Sequence, residues 1–304
     1  MTTWRKVGYC LALVAGVSFT ASATTYRVTP DAAVGGNGQA WADDGAGNAP
    51  VTLTEAIALA ANDDVILCKA GEYEKVAGSG NNGEKSSFLV AKPLTIRGGL
   101  KGTDDVTLDD VSPVSTFTAP AQQVSIFYVK ASAGVNVFEN LKLTGVTANS
   151  RYYVFSAISK TGAGSIEVRN CQIVNNTCGN DNCAYGEGLN FAGTADSTAV
   201  ISNCLFAAKV STSYAKSPGQ ALRLVTFKEV VLTDCAFVTN GVSFSRGVNY
   251  LSGNGAINGV AIYAKDAPIR AKGCTFLANR HTWLDNGATG CVMLEGAGGE
   301  GESS

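Results

Sequence analysis

Apolar and polar residues alternate with a period of two in short segments along this chain, a pattern typical of β-strands. Four of these segments share one motif, in which a cysteine is followed by a variable residue and then by a large apolar one: Cys171-Gln172-Ile173, Cys204-Leu205-Phe206, Cys235-Ala236-Phe237 and Cys274-Thr275-Phe276. A cysteine-free copy, Leu141-Lys142-Leu143, precedes them, and successive copies start 30, 33, 31 and 39 residues apart. A repeat of this length indicates structural units that stack on one another.

A second apolar position recurs 12 to 15 residues before each cysteine, at Ile158, Leu189, Leu222 and Ile262. Strands that return at such a period can wind into coils, each pairing in parallel with the next at about 4.8 Å. We therefore predict an all-β fold, a right-handed parallel β-helix with two strands in each repeat. Helical repeats are disfavoured because the repeats are rich in Val, Ile, Phe, Thr, Asn and Gly, and a propeller is the alternative.

The turns between the strands also have a recurrent residue. Asparagine lies five residues after the cysteine in three of the four repeats, as Asn176, Asn240 and Asn279. Of the residues other than glycine, asparagine best tolerates a left-handed backbone. We predict a sharp left-handed turn at these positions.

Residues 24–63 precede the repeats and are predicted to form a lead-in and an N-terminal capping helix. Thr52-Leu53-Thr54-Glu55 is a capping box, and Leu53, Ile57 and Ala60 fall on one face of a short helix. Such a helix would cover the open end of the coils. The β-helix is predicted over 64–296, and 297–304 is expected to be a disordered tail, or the end of a fragment of something longer.

Residues 1–23 have the features of a signal peptide. Arg5 and Lys6 precede an apolar run over 7–19, and Ala21-Ser22-Ala23 forms a cleavage site of small residues. The run is shorter than the roughly 20 apolar residues that span a bilayer. We expect an exported protein, secreted or at the cell surface, with no membrane span in the mature chain.

The net charge of the chain limits the kinds of binding partner that we expect. Without residues 1–23 the chain has 21 Lys and Arg against 25 Asp and Glu, so it is mildly acidic. Nucleic-acid binding normally needs a basic face and is therefore not expected. We expect a monomer whose partner is a polysaccharide or a cell-envelope surface.

The cysteines separate into two groups. Neighbouring repeat cysteines have parallel Cβ positions about 4.8 Å apart, wider than the roughly 3.8 Å of a disulfide, so we predict buried free thiols. A zinc site is disfavoured because four ligands in one line cannot surround an ion tetrahedrally. Cys178 and Cys183 flank a polar segment, and we predict a disulfide between them.

One row of side chains is a candidate binding site. The residue after each inward Ile or Leu faces outward, which places Ser159, Asn190, Arg223 and Tyr263 on successive coils. Hydrogen-bonding groups, a cation and an aromatic ring in one row could hold a glycan, with Tyr250 and Trp283 in nearby loops. The alternative is an ordinary polar sheet face.

Several motifs resemble a known group of proteins. Thr52-Leu53-Thr54-Glu55-Ala56-Ile57, Lys69-Ala70-Gly71-Glu72-Tyr73 and Pro93-Leu94-Thr95-Ile96-Arg97-Gly98-Gly99 resemble the N-terminal cap and first coils of the pectin-lyase-like superfamily. Phe237-Val238-Thr239-Asn240 and Phe276-Leu277-Ala278-Asn279 resemble the repeats of polymorphic outer membrane proteins, which are autotransporter passengers. The resemblance implies a right-handed parallel β-helix. It leaves activity open, because that superfamily includes lyases, hydrolases and adhesins.

No catalytic residue, metal site or cofactor is assigned from the sequence. The Gly-His-Gly set of the hydrolases and the Arg-x-Pro-x-x-Arg motif of the pectate lyases are absent, and His281 is the single histidine. We therefore expect binding or adhesion to glycans or envelope components without catalysis. The alternative is a polysaccharide lyase or glycoside hydrolase acting on acidic polysaccharides, and a lyase could use Ca²⁺ held by carboxylates.

Overall fold

Among the residues that the structure describes, the strands form four parallel sheets. The computed structural model describes residues 22–75, 87–103, 115–118, 125–148, 156–178, 188–207, 210–211, 221–242, 261–281 and 291–296. Numbered along the chain, the strands of sheet A are β1 (Thr25–Val28), β2 (Val65–Lys69), β5 (Thr95–Leu100), β8 (Val135–Glu139), β12 (Ser165–Arg169), β16 (Thr198–Ser202), β20 (Glu229–Thr233) and β24 (Ile269–Lys272). Sheet B contains β3 (Gly71–Glu74), β6 (Ser115–Thr118), β9 (Leu141–Thr144), β13 (Gln172–Val174), β17 (Leu205–Ala207), β21 (Ala236–Val238) and β25 (Thr275–Leu277).

The other two sheets complete the coils. Sheet C contains β4 (Phe88–Val90), β7 (Phe127–Val129), β11 (Ile158–Thr161), β15 (Leu189–Ala192), β19 (Leu222–Val225), β23 (Ile262–Lys265) and β27 (Val292–Glu295). Sheet D consists of two-residue strands, β10 (Thr147–Ala148), β14 (Thr177–Cys178), β18 (Val210–Ser211), β22 (Gly241–Val242) and β26 (Arg280–His281). Each strand pairs with the equivalent strand one coil away, and the predicted all-β parallel β-helix is thereby confirmed.

The coils contain more than the two strands per repeat that the motif spacing predicts. A coil in the middle of the chain runs through β12, β13 and β14 to β15, so it has three longer strands and one short one. The strand of sheet A was missed, although Ile166 and Val168 alternate there with half-buried or exposed residues. The segment treated as an irregular lead-in also contains β1, which pairs with β2.

Sheet B contributes an inward row of large side chains to the core. The row is in register from coil to coil, and it consists of Tyr73, Phe117, Leu143, Ile173, Phe206, Phe237 and Phe276. The rings of Phe206 and Phe237 stack with centroids 4.6 Å apart and planes within 4° of each other. The ring of Phe276 stacks on Phe237 at 4.9 Å. The parallel register therefore places like side chains on one another at about the spacing of the strands.

The charged side chain of Lys160 lies within the apolar interior of the coils. Lys160 lies in β11 at an inward position, between Val129 and Phe191 of the neighbouring coils, and it is fully buried. Its Nζ donates hydrogen bonds to the carbonyl oxygens of Gly162 at 2.6 Å and Ala163 at 3.1 Å. Burial lowers the pKa of the Lys160 ammonium to about 8.

The predicted capping helix is present as α1, Leu53–Leu59. The Thr52 hydroxyl accepts a hydrogen bond from the Glu55 amide, and the Glu55 carboxylate accepts one from the Thr52 amide, which completes the capping box. Leu53, Ala56 and Ile57 are buried, and the helix packs against β1, β2 and β4. It therefore covers the apolar interior at the N-terminal end of the coils.

The left-handed turns lie one residue away from their predicted positions. Positive φ angles occur at Asn175 and Thr239, not at the asparagines that follow them. Asn240 is instead buried and bridges coils, because its Nδ2 donates to the carbonyl of Phe206 at 2.9 Å and to Oδ1 of Asn279 at 2.9 Å. The recurrent asparagine therefore lies next to a turn, as predicted, but its side chain donates a hydrogen bond to a buried backbone carbonyl.

Three of the four repeat cysteines form the predicted row of buried free thiols. Cys171, Cys204 and Cys235 are buried and unbridged, and each Sγ contacts a backbone carbonyl of the preceding coil, at 3.6, 3.5 and 3.5 Å respectively. Cys274 was expected to be buried but is only half-buried. It lies in the last repeat, where Phe276 is 39% exposed and Leu277 is 59% exposed.

We expect thiol alkylation to follow this burial. Iodoacetamide should label Cys274 and Cys291 in the native protein and should label Cys68, Cys171, Cys204 and Cys235 only after denaturation, as read by peptide mass mapping. Burial raises the pKa of the Cys68 and Cys204 thiols, which further suppresses the reactive thiolate. Native labelling of Cys204 at the rate of Cys274 would contradict this arrangement of the coils.

Some predictions fall on residues outside the described ranges. They include nearly all of the predicted signal peptide over 1–23, the predicted tail over 297–304, Cys183 and with it the predicted Cys178–Cys183 disulfide, and the aromatic residues Tyr250 and Trp283. Within the described ranges, α1 is far too short to cross a membrane, and no other helix occurs there that could do so.

Candidate functional site

The predicted row of site residues exists as one ladder on the outer face of sheet C. Ser159 is paired with Asn190, Asn190 with Arg223, and Arg223 with Tyr263, each on the adjacent strand. Their neighbours along the strands, such as Leu189 and Leu222, belong to the hydrophobic core, whereas these four residues do not. We call this ladder and the outward residues beside it the sheet C face.

The ladder is less accessible than the alternation of its strands predicts. Ser159, Asn190 and Tyr263 are 1, 4 and 5% exposed, and only Arg223 is half-buried. An outward direction on a strand fixes which side of the sheet a residue occupies, but exposure depends on what else packs there. Of the four predicted residues, Arg223 is therefore the one best able to meet a ligand.

The buried members of the ladder hold Arg223 in place. Its Nη1 donates a hydrogen bond to Oδ1 of Asn190 at 2.9 Å, and its guanidinium lies 5.9 Å from the centre of the Tyr263 ring. Contact with an amide on one side and an aromatic ring on the other restricts the rotamers of a long side chain. The ladder therefore fixes the position of one cation on the outer face of the coils.

The ladder continues toward the N-terminus through residues that were not predicted. Tyr128 pairs with Ser159, and Leu89 pairs with Tyr128. Tyr128 is half-buried, Lys130 is exposed, and the Lys130 ammonium lies 5.5 Å from the centre of the Tyr128 ring. The alternation within Ile126-Phe127-Tyr128-Val129 would have identified Tyr128, because it is the outward residue of that strand.

At its N-terminal end the sheet C face meets a cavity of about 290 Å³ between α1 and β4. Its lining is mainly apolar, with Ile57, Phe88 and Leu89, and it includes two lysines, Lys75 and Lys92. The Lys92 ammonium donates hydrogen bonds to backbone carbonyls at the C-terminal end of α1, a favourable position for a cation. Burial lowers the pKa of Lys75.

From β4 to β23 the outward charges of sheet C are all positive, and on the last strand, β27, Glu295 pairs with Lys265. A second outward row contains Thr161, Ala192, Val225 and Lys265, so from β4 to β23 the outward positions include cations and no carboxylate. On sheet A, outward residues of both signs lie in contact. Arg97 contacts Glu139 at 2.7 Å, Arg270 contacts Glu229 at 3.0 Å, and Arg169 contacts Glu167.

The chemistry available on the sheet C face is recognition of anionic or hydroxyl-rich groups. Arginine and lysine donate to carboxylates, and tyrosine offers a flat apolar ring with a polar tip. Among the described residues, no group of three or more His, Cys, Asp or Glu side chains is arranged to hold a metal ion. His281, the single histidine of the chain, lies in the two-residue strand β26.

Comparison with known proteins adds two distant structural neighbours. A pectate lyase, Pel9A, is 17% identical, with a TM-score of 0.34 over 88% of this chain and 82% of the other. A pectin methylesterase from Aspergillus niger is 14% identical, with a TM-score of 0.36 over 90% of this chain and 91% of the other. No protein-family model and no curated protein matches the chain. At these identities and TM-scores, the two likenesses carry no argument about substrate or activity.

Proposed function

We propose that this protein is a secreted or cell-surface β-helix protein that binds acidic glycans on the sheet C face without cleaving them. The observation that carries the proposal is the ladder of Tyr128, Asn190, Arg223 and Tyr263, flanked by Lys130 and Lys265 and free of carboxylates from β4 to β23. The expectation of export comes from the sequence of residues 1–23.

The spacing of the ladder suits a polymeric ligand. Successive strands place a side chain about every 4.8 Å along the axis of the β-helix, and a sugar unit in an extended polysaccharide has a similar length. A chain lying along this axis could therefore place its rings on Tyr128 and its carboxylates near Lys130, Arg223 and Lys265. Several weak contacts of this kind add up by multivalency.

Binding is favoured over cleavage by the composition of the face. A hydrolase needs paired carboxylates, and a lyase that uses Ca²⁺ needs carboxylates to hold the ion. The outward residues on the sheet C face are a serine, an amide, aromatic rings, aliphatic side chains, a threonine and cations. These groups position a ligand but include no carboxylate from β4 to β23.

The proposal predicts a salt-sensitive interaction that depends on exposed cations. Lys130→Ala is expected to weaken binding to polygalacturonate about fivefold, close to 1 kcal/mol, with no change in Tm because Lys130 is exposed. Arg223→Ala should weaken it further and also lower Tm, since it removes the partner of Asn190. Binding should be measured by biolayer interferometry at low and high salt.

Lys142→Ala is the control, because Lys142 is an outward, half-buried lysine on a different sheet, sheet B. If Lys142→Ala and Lys130→Ala weaken binding equally, the interaction is nonspecific attraction and the sheet C face is not the site.

Product assays on the same polymer test the alternative function. An increase in ultraviolet absorbance from unsaturated sugars, or in reducing ends, would replace the binding proposal with a lyase or a hydrolase.

A further inference from the structure

A second cavity lies at the N-terminal end of the chain, and the function proposed above does not use it. It has a volume of about 550 Å³ and is formed by the segments 29–36 and 41–50 with one residue of β2. This volume falls within the roughly 300–1,000 Å³ of cavities that hold small ligands. Its chemically distinctive lining residues are Asp31, Trp41, Asp43 and Lys69, and we call it the N-terminal cleft.

Hydrogen bonds fix the two segments that form the cleft. Asn37 Oδ1 accepts hydrogen bonds from the amides of Gln39 at 3.0 Å and Ala49 at 3.2 Å, and its Nδ2 donates to Asn48 Oδ1 at 3.0 Å. The Asp44 carboxylate accepts from the amides of Ala46 and Asn48. These contacts hold the walls of the cleft in place before a ligand binds, which lowers the entropic cost of ligand binding.

A glycine permits the close contact between the segments. At Gly36 a Cβ atom would lie 2.0 Å from the carbonyl oxygen of Pro50, so no other residue fits without moving the wall. The Gly35 amide donates to the Glu55 carboxylate at 2.9 Å, which ties the same segment to the first turn of α1. The cleft is therefore anchored to the capping helix.

The side chains of the cleft match the chemistry of an uncharged sugar. Trp41 is half-buried, and an indole ring at a cavity wall can pack against the apolar C–H face of a pyranose. Asp31 and Asp43 are exposed, and their carboxylate oxygens can accept hydrogen bonds from sugar hydroxyls. Oδ1 of Asp43 already accepts a hydrogen bond from the Gly45 amide at 2.9 Å, which fixes the orientation of that carboxylate. With two carboxylates and the single ammonium of Lys69, the lining has a net negative charge, which disfavours a uronate.

We propose that the N-terminal cleft binds a neutral saccharide unit, stacked on Trp41 and hydrogen-bonded to Asp31 and Asp43. The cleft and the sheet C face thus have opposite charge preferences. This proposal does not depend on glycan binding at the sheet C face.

The test is calorimetric titration of the whole exported chain with cellobiose, maltose and mannobiose, with digalacturonate as the charged comparison. We expect at least one neutral disaccharide to bind and Trp41→Ala to weaken it about tenfold or more. Trp41→Phe, which keeps an aromatic ring, should retain most of the affinity. Asp31→Asn and Asp43→Asn should each change affinity by severalfold, and Lys130→Ala on the sheet C face should leave it unchanged.

A second measurement locates the sugar independently of affinity. In a Trp283→Phe background, binding should shift the fluorescence of Trp41, the remaining tryptophan after residue 23. Thermal melts check that the variants fold. The proposal is overturned if none of the three neutral disaccharides binds, if binding survives Trp41→Ala in a folded variant, or if digalacturonate binds the cleft more tightly than they do.

Discussion

Phe237→Asp is expected to leave most of the protein unfolded or aggregated. Phe237 is fully buried and its ring stacks between those of Phe206 and Phe276. Loss of a buried aromatic side chain alone costs about 3–5 kcal/mol, and the buried carboxylate adds a desolvation cost. The free energy of unfolding of a typical domain is only about 5–15 kcal/mol. The cost of Phe237→Asp is a large part of that total, so we expect the variant to be mostly unfolded.

The measurement is denaturant unfolding followed by circular dichroism, with Phe237→Leu as the conservative variant and Thr275→Asp as the control. Thr275 is exposed and points outward on the neighbouring strand, so its replacement should change stability by less than about 1 kcal/mol. Equal damage from Phe237→Asp and Thr275→Asp would mean that the inward and outward faces of sheet B are wrongly assigned.

The second large effect is a gain in stability from Lys160→Met. The buried ammonium of Lys160 is replaced by an apolar side chain of similar length, which removes its desolvation cost. The carbonyls of Gly162 and Ala163 lose a donor, but Gly162 is exposed and can bind water. We expect the free energy of unfolding at pH 7 to rise by about 1–3 kcal/mol.

The sign of the pH dependence tests the cause. The folded-state pKa of Lys160 is about 8, below its ordinary value of 10.5, so the unfolded chain keeps a proton that the folded chain releases. The stability of the native sequence should therefore rise, relative to Lys160→Met, as pH increases from about 8 to about 10.5. A constant difference between the two proteins over this range would show that Lys160 does not lose its charge in the core.

The fold could be predicted because its main signal is repeated. The motif around Cys171, Cys204 and Cys235 fixes a period, and alternation within it assigns the inward and outward residues of sheet B correctly. Within the repeats, the sheet A strands β12, β16, β20 and β24 were missed because they lie just before the motif and carry no cysteine or glycine of their own. Lys160 could not be anticipated, since a charged residue at an inward position contradicts the pattern used to find the core.

The sequence predicts which residues of the candidate site lie beside one another on adjacent strands, but it does not predict how far they are exposed to solvent. Residues that follow the inward Ile158, Leu189 and Leu222 lie on adjacent strands as expected, because the coils are in phase. Burial of Ser159 and Asn190 depends on contacts between segments distant in sequence, which alternation does not encode. The N-terminal cleft was missed for the same reason, since it forms only where two loops meet.

The parallel register has a consequence for how the chain folds. Core partners such as Ile173, Phe206, Phe237 and Phe276 lie 33, 31 and 39 residues apart, so each coil needs only the coil before it as a template. For a chain of 304 residues this separation gives a relative contact order of about 0.1, a value more usual among helical bundles than among β-sandwiches. We therefore expect folding to nucleate on one pair of coils and to propagate along the axis, so that a chain emerging from its N-terminus could fold coil by coil.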